Sequence, residues 1–227
     1  MYQGERKSGL TVIGLAVLSP LCALSVALFS ARIAQHTILL LIGAPLIALG
    51  CPARSVASGS GMRFGSTSQP FPLAASLVFG ILLWFWHSPT AYTATFYGDT
   101  VYWLMHLTLF GSALWLWCEL FEGISGGIIR VSVAAALSSM QMGFLGALIT
   151  LAPEPIYPPH ALTAAAWGIT PLQDQQLGGV IMWVPGCLAF LIFGTYALWM
   201  VLERSECDIE PASNSEFENQ VIAYSRD

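Results

Sequence analysis

The chain has 227 residues, of which 56% are hydrophobic and only 9% charged, with a mean hydropathy of +0.68. A soluble domain carries about 25% charged residues, so this composition excludes an ordinary globular protein and points to a chain that crosses a membrane several times. The net charge of −5 identifies no partner, because seven of the thirteen acids lie from Glu203 onward, and the lack of a basic patch argues against nucleic acid.

Residues 1–9 are polar and include Arg6 and Lys7, and an apolar run follows from Leu10 to Phe29. A signal peptide also starts this way, but its apolar region is usually about 7–15 residues and ends at a small-residue cleavage site. The run is longer and no such site ends it, so it reads as a retained first span. Span two is expected from Ile33 to Cys51, with His36, Gly43 and Gly50 on one face and Pro45 placed to kink it. A Gly/Ser-rich loop with Arg54 and Arg63 leads to span three, Phe71 to His87, which ends in WFWH. Span four is expected from Thr100 to Leu120, span five from Gly127 to Leu151 and span six from Asp174 to Leu202. The loops at 88–99 and 152–172 contain no Lys or Arg.

Residues 1–203 therefore read as one all-α integral membrane bundle of about six transmembrane helices, and 204–227 as an acidic tail without structure. With alternating spans, Arg6, Lys7, Arg54, Arg63, Arg130, Arg204 and Arg226 fall on one side and Arg32 alone on the other. Cationic loops stay in the cytoplasm, so both termini are expected there.

All four histidines then fall on or near the outer side, with Asp99, Glu154 and Asp174. His106 lies six residues past Thr100, about 10 Å below the outer end at a rise of 1.5 Å per residue. A polar group at that depth needs a partner or a cavity. His87 also fits a plain interfacial aromatic belt, and His160, in a Pro-rich loop, reads as solvated. Asp174 either caps span six or accepts a bond from an imidazole N–H. Asp99 shares a helix face with His106, Met105 adjoins it, and Met182 lies seven beyond Gln175. Imidazole with thioether suits Cu(I), and imidazole with carboxylate suits Cu(II) or zinc. For any one methionine, gap-filling in the core is the plainer reading. Gly178, Gly179 and Gly186 would let another helix approach closely. The five cysteines form no C-x-x-C pair and read as small packing residues. No phosphate-binding loop, dinucleotide fingerprint, nucleophile elbow or H-E-x-x-H motif is present, so an enzyme is not expected.

Five blocks carry a family resemblance: SPLCALSVALFSARIAQHTILLLIGAPLIALGCPAR, LWFWHSPTAY, VYWLMHLTLFGSALWLW, TLAPEPIYPPH and WGITPLQDQQLGGVIMWVPG. In order and spacing they resemble the multi-span CtaG-type cytochrome c oxidase assembly family. The resemblance implies a bacterial plasma-membrane protein that helps assemble a haem–copper oxidase, through copper handling at the outer side. By motif it implies His36, His87 and His106 as copper ligands, with Asp174 and Gln175 beside them. Partners would be oxidase subunits and the lipid bilayer, with room for a homo-oligomer. Many members have a second histidine where this chain has Arg32. Either Arg32 snorkels outward or the site uses fewer ligands. Two other functions remain open: a metal-free scaffold subunit, and a b-type haem protein with haem between His36 and His106.

Overall fold

The computed structural model describes residues 7–12, 14, 20–50, 71–124 and 127–224, and every regular element among them is helical. A short helix, α1, covers Pro20–Ala27. The long helix α2 covers Phe29–Gly50, α3 Pro72–His87, the short α4 Pro89–Ala94, α5 Asp99–Gly123, α6 Ile128–Leu151 and α7 Pro171–Tyr224. Four stretches are long and apolar enough to cross a bilayer: Phe29–Gly50, Asp99–Gly123, Ile128–Leu151 and Pro171–Met200. Pro72–His87 is apolar but shorter. Helices are thus found within a few residues of the limits expected for spans two to six, and four of the five are long enough to cross a bilayer. Residues 13 and 15–19 of the expected first span, and the loop with Arg54 and Arg63, lie outside the described residues. The backbone of α7 stays helical to Tyr224, over the acidic segment expected to lack structure. A helix already nucleated extends at little cost, because each added residue gains a hydrogen bond without a new nucleus.

The long helices alternate in direction. Phe29, His87, Asp99, Leu151 and Pro171 meet at one end of the bundle, here the upper end, and Gly50, Pro72, Gly123 and Ile128 at the lower end. Residues facing outward are apolar, among them Ile81, Leu107, Val133, Phe144, Leu188 and Ile192, as a hydrocarbon surround requires.

Small residues and backbone-directed bonds hold the interior. The α6–α7 pair meets at Gly146 and Gly179: a Cβ on Gly179 would lie 2.8 Å from the Gly146 carbonyl oxygen. Gly178, the next residue, faces the other way, and a Cβ there would lie 2.4 Å from the Phe29 ring of α2. The two glycines seat α7 against α6 and α2 at once, the close approach expected from sequence. Ser76 of α3 bonds Ser138 (2.8 Å) and the Ala134 carbonyl (3.1 Å) of α6. Within α2 the turn Leu39–Gly43 is π-helical, just before Pro45. Proline has no N–H, and in the π register its lost partner is the Leu40 carbonyl. Trp117 Nε1–H of α5 donates to that oxygen at 2.9 Å.

Candidate functional site

The upper end is organised by a break in the chain. Leu28 is extended (φ −125°, ψ 134°), so α1 stops and α2 starts one residue apart. A helix end leaves carbonyls unpaired on one side and amides unpaired on the other. Distant residues satisfy both sets. The Asp174 carboxylate of α7 accepts from the Phe29 N–H (2.7 Å), the Ser30 N–H (3.0 Å) and the Ser30 hydroxyl (2.5 Å). Arg32 Nε donates to the Ser25 carbonyl (3.1 Å), and the Thr163 hydroxyl (2.5 Å) and His160 Nδ1 (3.3 Å) to the Ala27 carbonyl. An anion thus sits at the amide end of the break and a cation at its carbonyl end, where each is favoured by the helix dipole. Asp174 is a cap, but of α2 and not of its own helix. Its bonds go to backbone amides and one hydroxyl, with an imidazole not among them.

Gln175 has a different task. Its Oε1 accepts from the Ile156 N–H (2.6 Å) and its Nε2 donates to the Ile149 carbonyl (3.1 Å), which pins the 152–157 loop to the end of α6.

Arg32 does not snorkel. It is 2% exposed, donates from Nη1 to Thr95 Oγ1 (2.8 Å), and lies over the rings of Phe96 (4.1 Å), Tyr92 (5.3 Å) and Tyr102 (5.6 Å). Aromatic faces attract a guanidinium through their quadrupoles, which lets α4 and α5 hold the cation inside.

His160 is also buried, not solvated. A carbonyl can only accept, so Nδ1 carries the proton toward Ala27 and Nε2 accepts from the Tyr92 hydroxyl at 2.7 Å. Burial holds its pKa below the usual imidazole value, Arg32 pushes the same way, and the Ala27 bond and Asp174 oppose. Burial pushes the Tyr92 and Tyr157 phenols well above their usual range. Tyr157 stacks on Phe29 (4.3 Å between centroids) and donates to the His87 carbonyl at 2.8 Å. The loop between α6 and α7 is thereby closed over the ends of α2 and α3. Tyr92, Tyr157 and Thr95 were not singled out from sequence; the signal available was the Tyr at the end of LWFWHSPTAY, five residues past His87.

About 10 Å into α2 from Phe29, seven residues on at 1.5 Å each, is His36. Its ring lies 4.9 Å from that of His106 and 6.5 Å from that of His87. Three helices therefore bring the three expected histidines together, and all are buried. His87 Nδ1 bonds the Leu83 carbonyl (2.7 Å) and His106 Nδ1 the Tyr102 carbonyl (3.0 Å), each one turn back on its own helix. Those protons belong to Nδ1, which leaves each Nε2 with a lone pair. Neither His36 nitrogen has a hydrogen-bond partner, nor does His106 Nε2. A buried polar atom without a partner costs about 1–3 kcal/mol, and this cluster holds three such nitrogens. Met105 and Met182 are buried in the apolar core, Met140 faces outward, and Asp99 is exposed at the start of α5.

Neutral imidazoles with free lone pairs are the donor set that copper takes. Two rings on one ion, with bonds of about 2.0 Å, have centroids roughly 4.5–6.4 Å apart, depending on the angle at the metal. The His36–His106 pair falls inside that range and His87 just beyond it. Among the described residues no group of three or more His, Cys, Asp or Glu is placed to hold a metal ion as the side chains stand. The spacing of the His36 and His106 rings is compatible with two imidazoles on one ion, and that of His36 and His87 is slightly too wide.

A family model described as cytochrome c oxidase caa3 assembly factor matches residues 7–204. No curated protein and no solved structure matches the chain.

Proposed function

The chain belongs to the cytochrome c oxidase caa3 assembly factor family, and from that premise we propose that it binds copper at His36, His87 and His106 and hands it on to a haem–copper oxidase. Copper is cargo here and not a resident cofactor, so no catalytic role is assigned. The observation that carries the reading is His36: two buried ring nitrogens without partners, on a ring 4.9 Å from that of His106, whose Nε2 is unpartnered too.

In this reading the upper end faces the outside of a bacterial plasma membrane and both termini are cytoplasmic. Arg130 lies at the lower end, and the loop with Arg54 and Arg63 joins the lower ends of α2 and α3. The single cation on the other side, Arg32, is buried and adds no charge to the upper surface. That strengthens the positive-inside bias. A haem between His36 and His106 is poorly supported, because two axial imidazoles stand opposite each other across a porphyrin, about 6.4 Å apart at bonds near 2.0 Å. The rings here are 4.9 Å apart.

The test is metal analysis of the purified protein, wild type against His36→Ala and His106→Ala, with oxidase activity and oxidase copper measured in the matching strains. Wild type should retain copper, each variant should lose it, and oxidase copper should fall with it. If the variants insert and the oxidase assembles normally, the protein is a metal-free scaffold and the copper reading fails. A Soret band in the purified protein would restore the haem reading.

A further inference from the structure

Among the described residues, Arg32 is the one buried Lys or Arg, and Asp174 the one buried acid. Asp174 is committed to the amides of α2. Arg32 is held by a carbonyl, a hydroxyl and three aromatic faces, all of them neutral. It stands one turn before His36 on α2, and residues four apart share a helix face. Its guanidinium carbon is 5.6 Å from the Tyr102 ring, which is 4.2 Å from the His106 ring. The positive charge is therefore within about 10 Å of the histidine cluster, and the ligands themselves are neutral and compensate nothing.

We propose that Arg32 sets the charge of the ion that the histidine cluster accepts, so that the site takes monovalent Cu(I) and discriminates against Cu(II). The inference rests on the copper reading above and names the form of its cargo. Repulsion scales with the charge of the incoming ion, so Cu(II) meets one unit more of it than Cu(I). At about 10 Å and an effective dielectric of about 20, that extra unit disfavours the divalent ion roughly fifteenfold. The effect is set by position, not contact, and needs Arg32 only to stay buried. The aromatic enclosure and the bonds to Ser25 and Thr95 provide that. In this view the arginine is what lets a neutral imidazole set tell two oxidation states of one metal apart.

The experiment measures Cu(I) and Cu(II) affinities of the purified protein in detergent, by competition with a Cu(I) chelator under reducing conditions and a Cu(II) chelator under air. Three variants are compared with wild type. Arg32→Gln removes the charge, Arg32→Lys keeps it, and Thr95→Asp places a carboxylate beside an intact Arg32. The Cu(II)-to-Cu(I) affinity ratio should rise about fifteenfold in Arg32→Gln and in Thr95→Asp, and stay within about threefold of wild type in Arg32→Lys. At 59 mV per tenfold, the same change lowers the potential of the bound couple by about 70 mV. If Arg32→Gln does not fold, Thr95→Asp decides. Copper bound by wild type and variants with an unmoved ratio overturns this inference alone. Folded protein that binds neither ion overturns the copper reading and this inference with it.

Discussion

Replacing Asp174 by Asn isolates what its carboxylate does at the start of α2. The two side chains have nearly the same shape, but the amide has one acceptor where the carboxylate has two. Asp174 uses both: Oδ2 takes the Phe29 N–H at 2.7 Å, and Oδ1 takes the Ser30 N–H at 3.0 Å and the Ser30 hydroxyl. In Asp174→Asn one of these backbone amides faces an NH2 group and is left without an acceptor. A buried donor so stranded costs about 1–3 kcal/mol. Losing the negative charge at a buried helix N-terminus adds up to about 2 kcal/mol. Taken together the loss is about 2–4 kcal/mol. For a chain of this size each kcal/mol lowers Tm by about 2–4 °C, so a fall of roughly 4–15 °C is expected. Thermal unfolding in detergent, followed by the reactivity of the half-buried thiols of Cys118 and Cys187, reads it directly. Ser30→Ala is the graded control: it removes only the hydroxyl bond and should cost about 1 kcal/mol. Oxidase assembly should decline with the Asp174→Asn protein, since His36 is carried by the helix being released. A Tm within about 1 °C of wild type would show that the cap contributes nothing and refute the reasoning.

The two glycines of α7 should differ. Gly179→Ala puts its Cβ 2.8 Å from the Gly146 oxygen and 2.8 Å from the Thr150 amide, both backbone, so the helices must part. Gly178→Ala meets the Phe29 ring first, a side chain that can turn, with the Ser30 Cα at 3.3 Å. Overpacking costs about 1–3 kcal/mol, and Gly179→Ala should fall at the upper end and lower Tm more than Gly178→Ala. The reverse order would show that α7 is seated by α2 and not by α6. His160 makes stability depend on pH. Its folded pKa lies below its unfolded value, so the unfolded chain binds the proton more readily. Its contribution is complete above an unfolded pKa of about 6.5 and is lost as pH falls from there through the folded value. Unfolding between pH 8 and pH 5 should have a steeper slope in wild type than in His160→Gln. Equal slopes would mean that His160 protonates without disturbing the Tyr92 bond.

Much of the bundle was legible because hydropathy reports what a bilayer requires: the helices expected as spans two to six are present, though Pro72–His87 is shorter than a full span. Convergence of His36, His87 and His106 was legible for a related reason: alternating spans fix which ends share a side, and equal depth on one side brings residues near each other. What could not be read was the destination of each polar bond. Asp174 follows Pro171 at a helix start, so local rules assign it to its own helix, yet its partners lie 144 and 145 residues earlier. The break at Leu28 carries no Pro or Gly to mark it. His160 looked solvated because its loop is rich in proline, whereas its neighbours Phe29, Tyr92 and Phe96 are distant in sequence. Arg32 posed a choice between snorkelling and a reduced site, and the aromatic side chains that enclose it come from α4, α5 and the turn between them.

The break explains why such costly groups collect at this end. A single helix through Leu28 would need neither Asp174 nor a buried guanidinium, because its amides and carbonyls would pair with each other. Splitting it exposes a positive and a negative helix end within one residue, and only charged or strongly polar partners from other helices can satisfy both. The same partners then fix α2 against α7 through Asp174 and Gly178, and against α1 and α4 through Arg32. A helix held at its first turn by backbone bonds has little freedom to rotate, and His36 rides two turns further along it. The rings of His87 and His106 are held in turn through Nδ1 by carbonyls of their own helices. The backbone positions of all three histidines are thus set by contacts within the protein, and the His36 ring, buried against the other two, is the one held by no hydrogen bond.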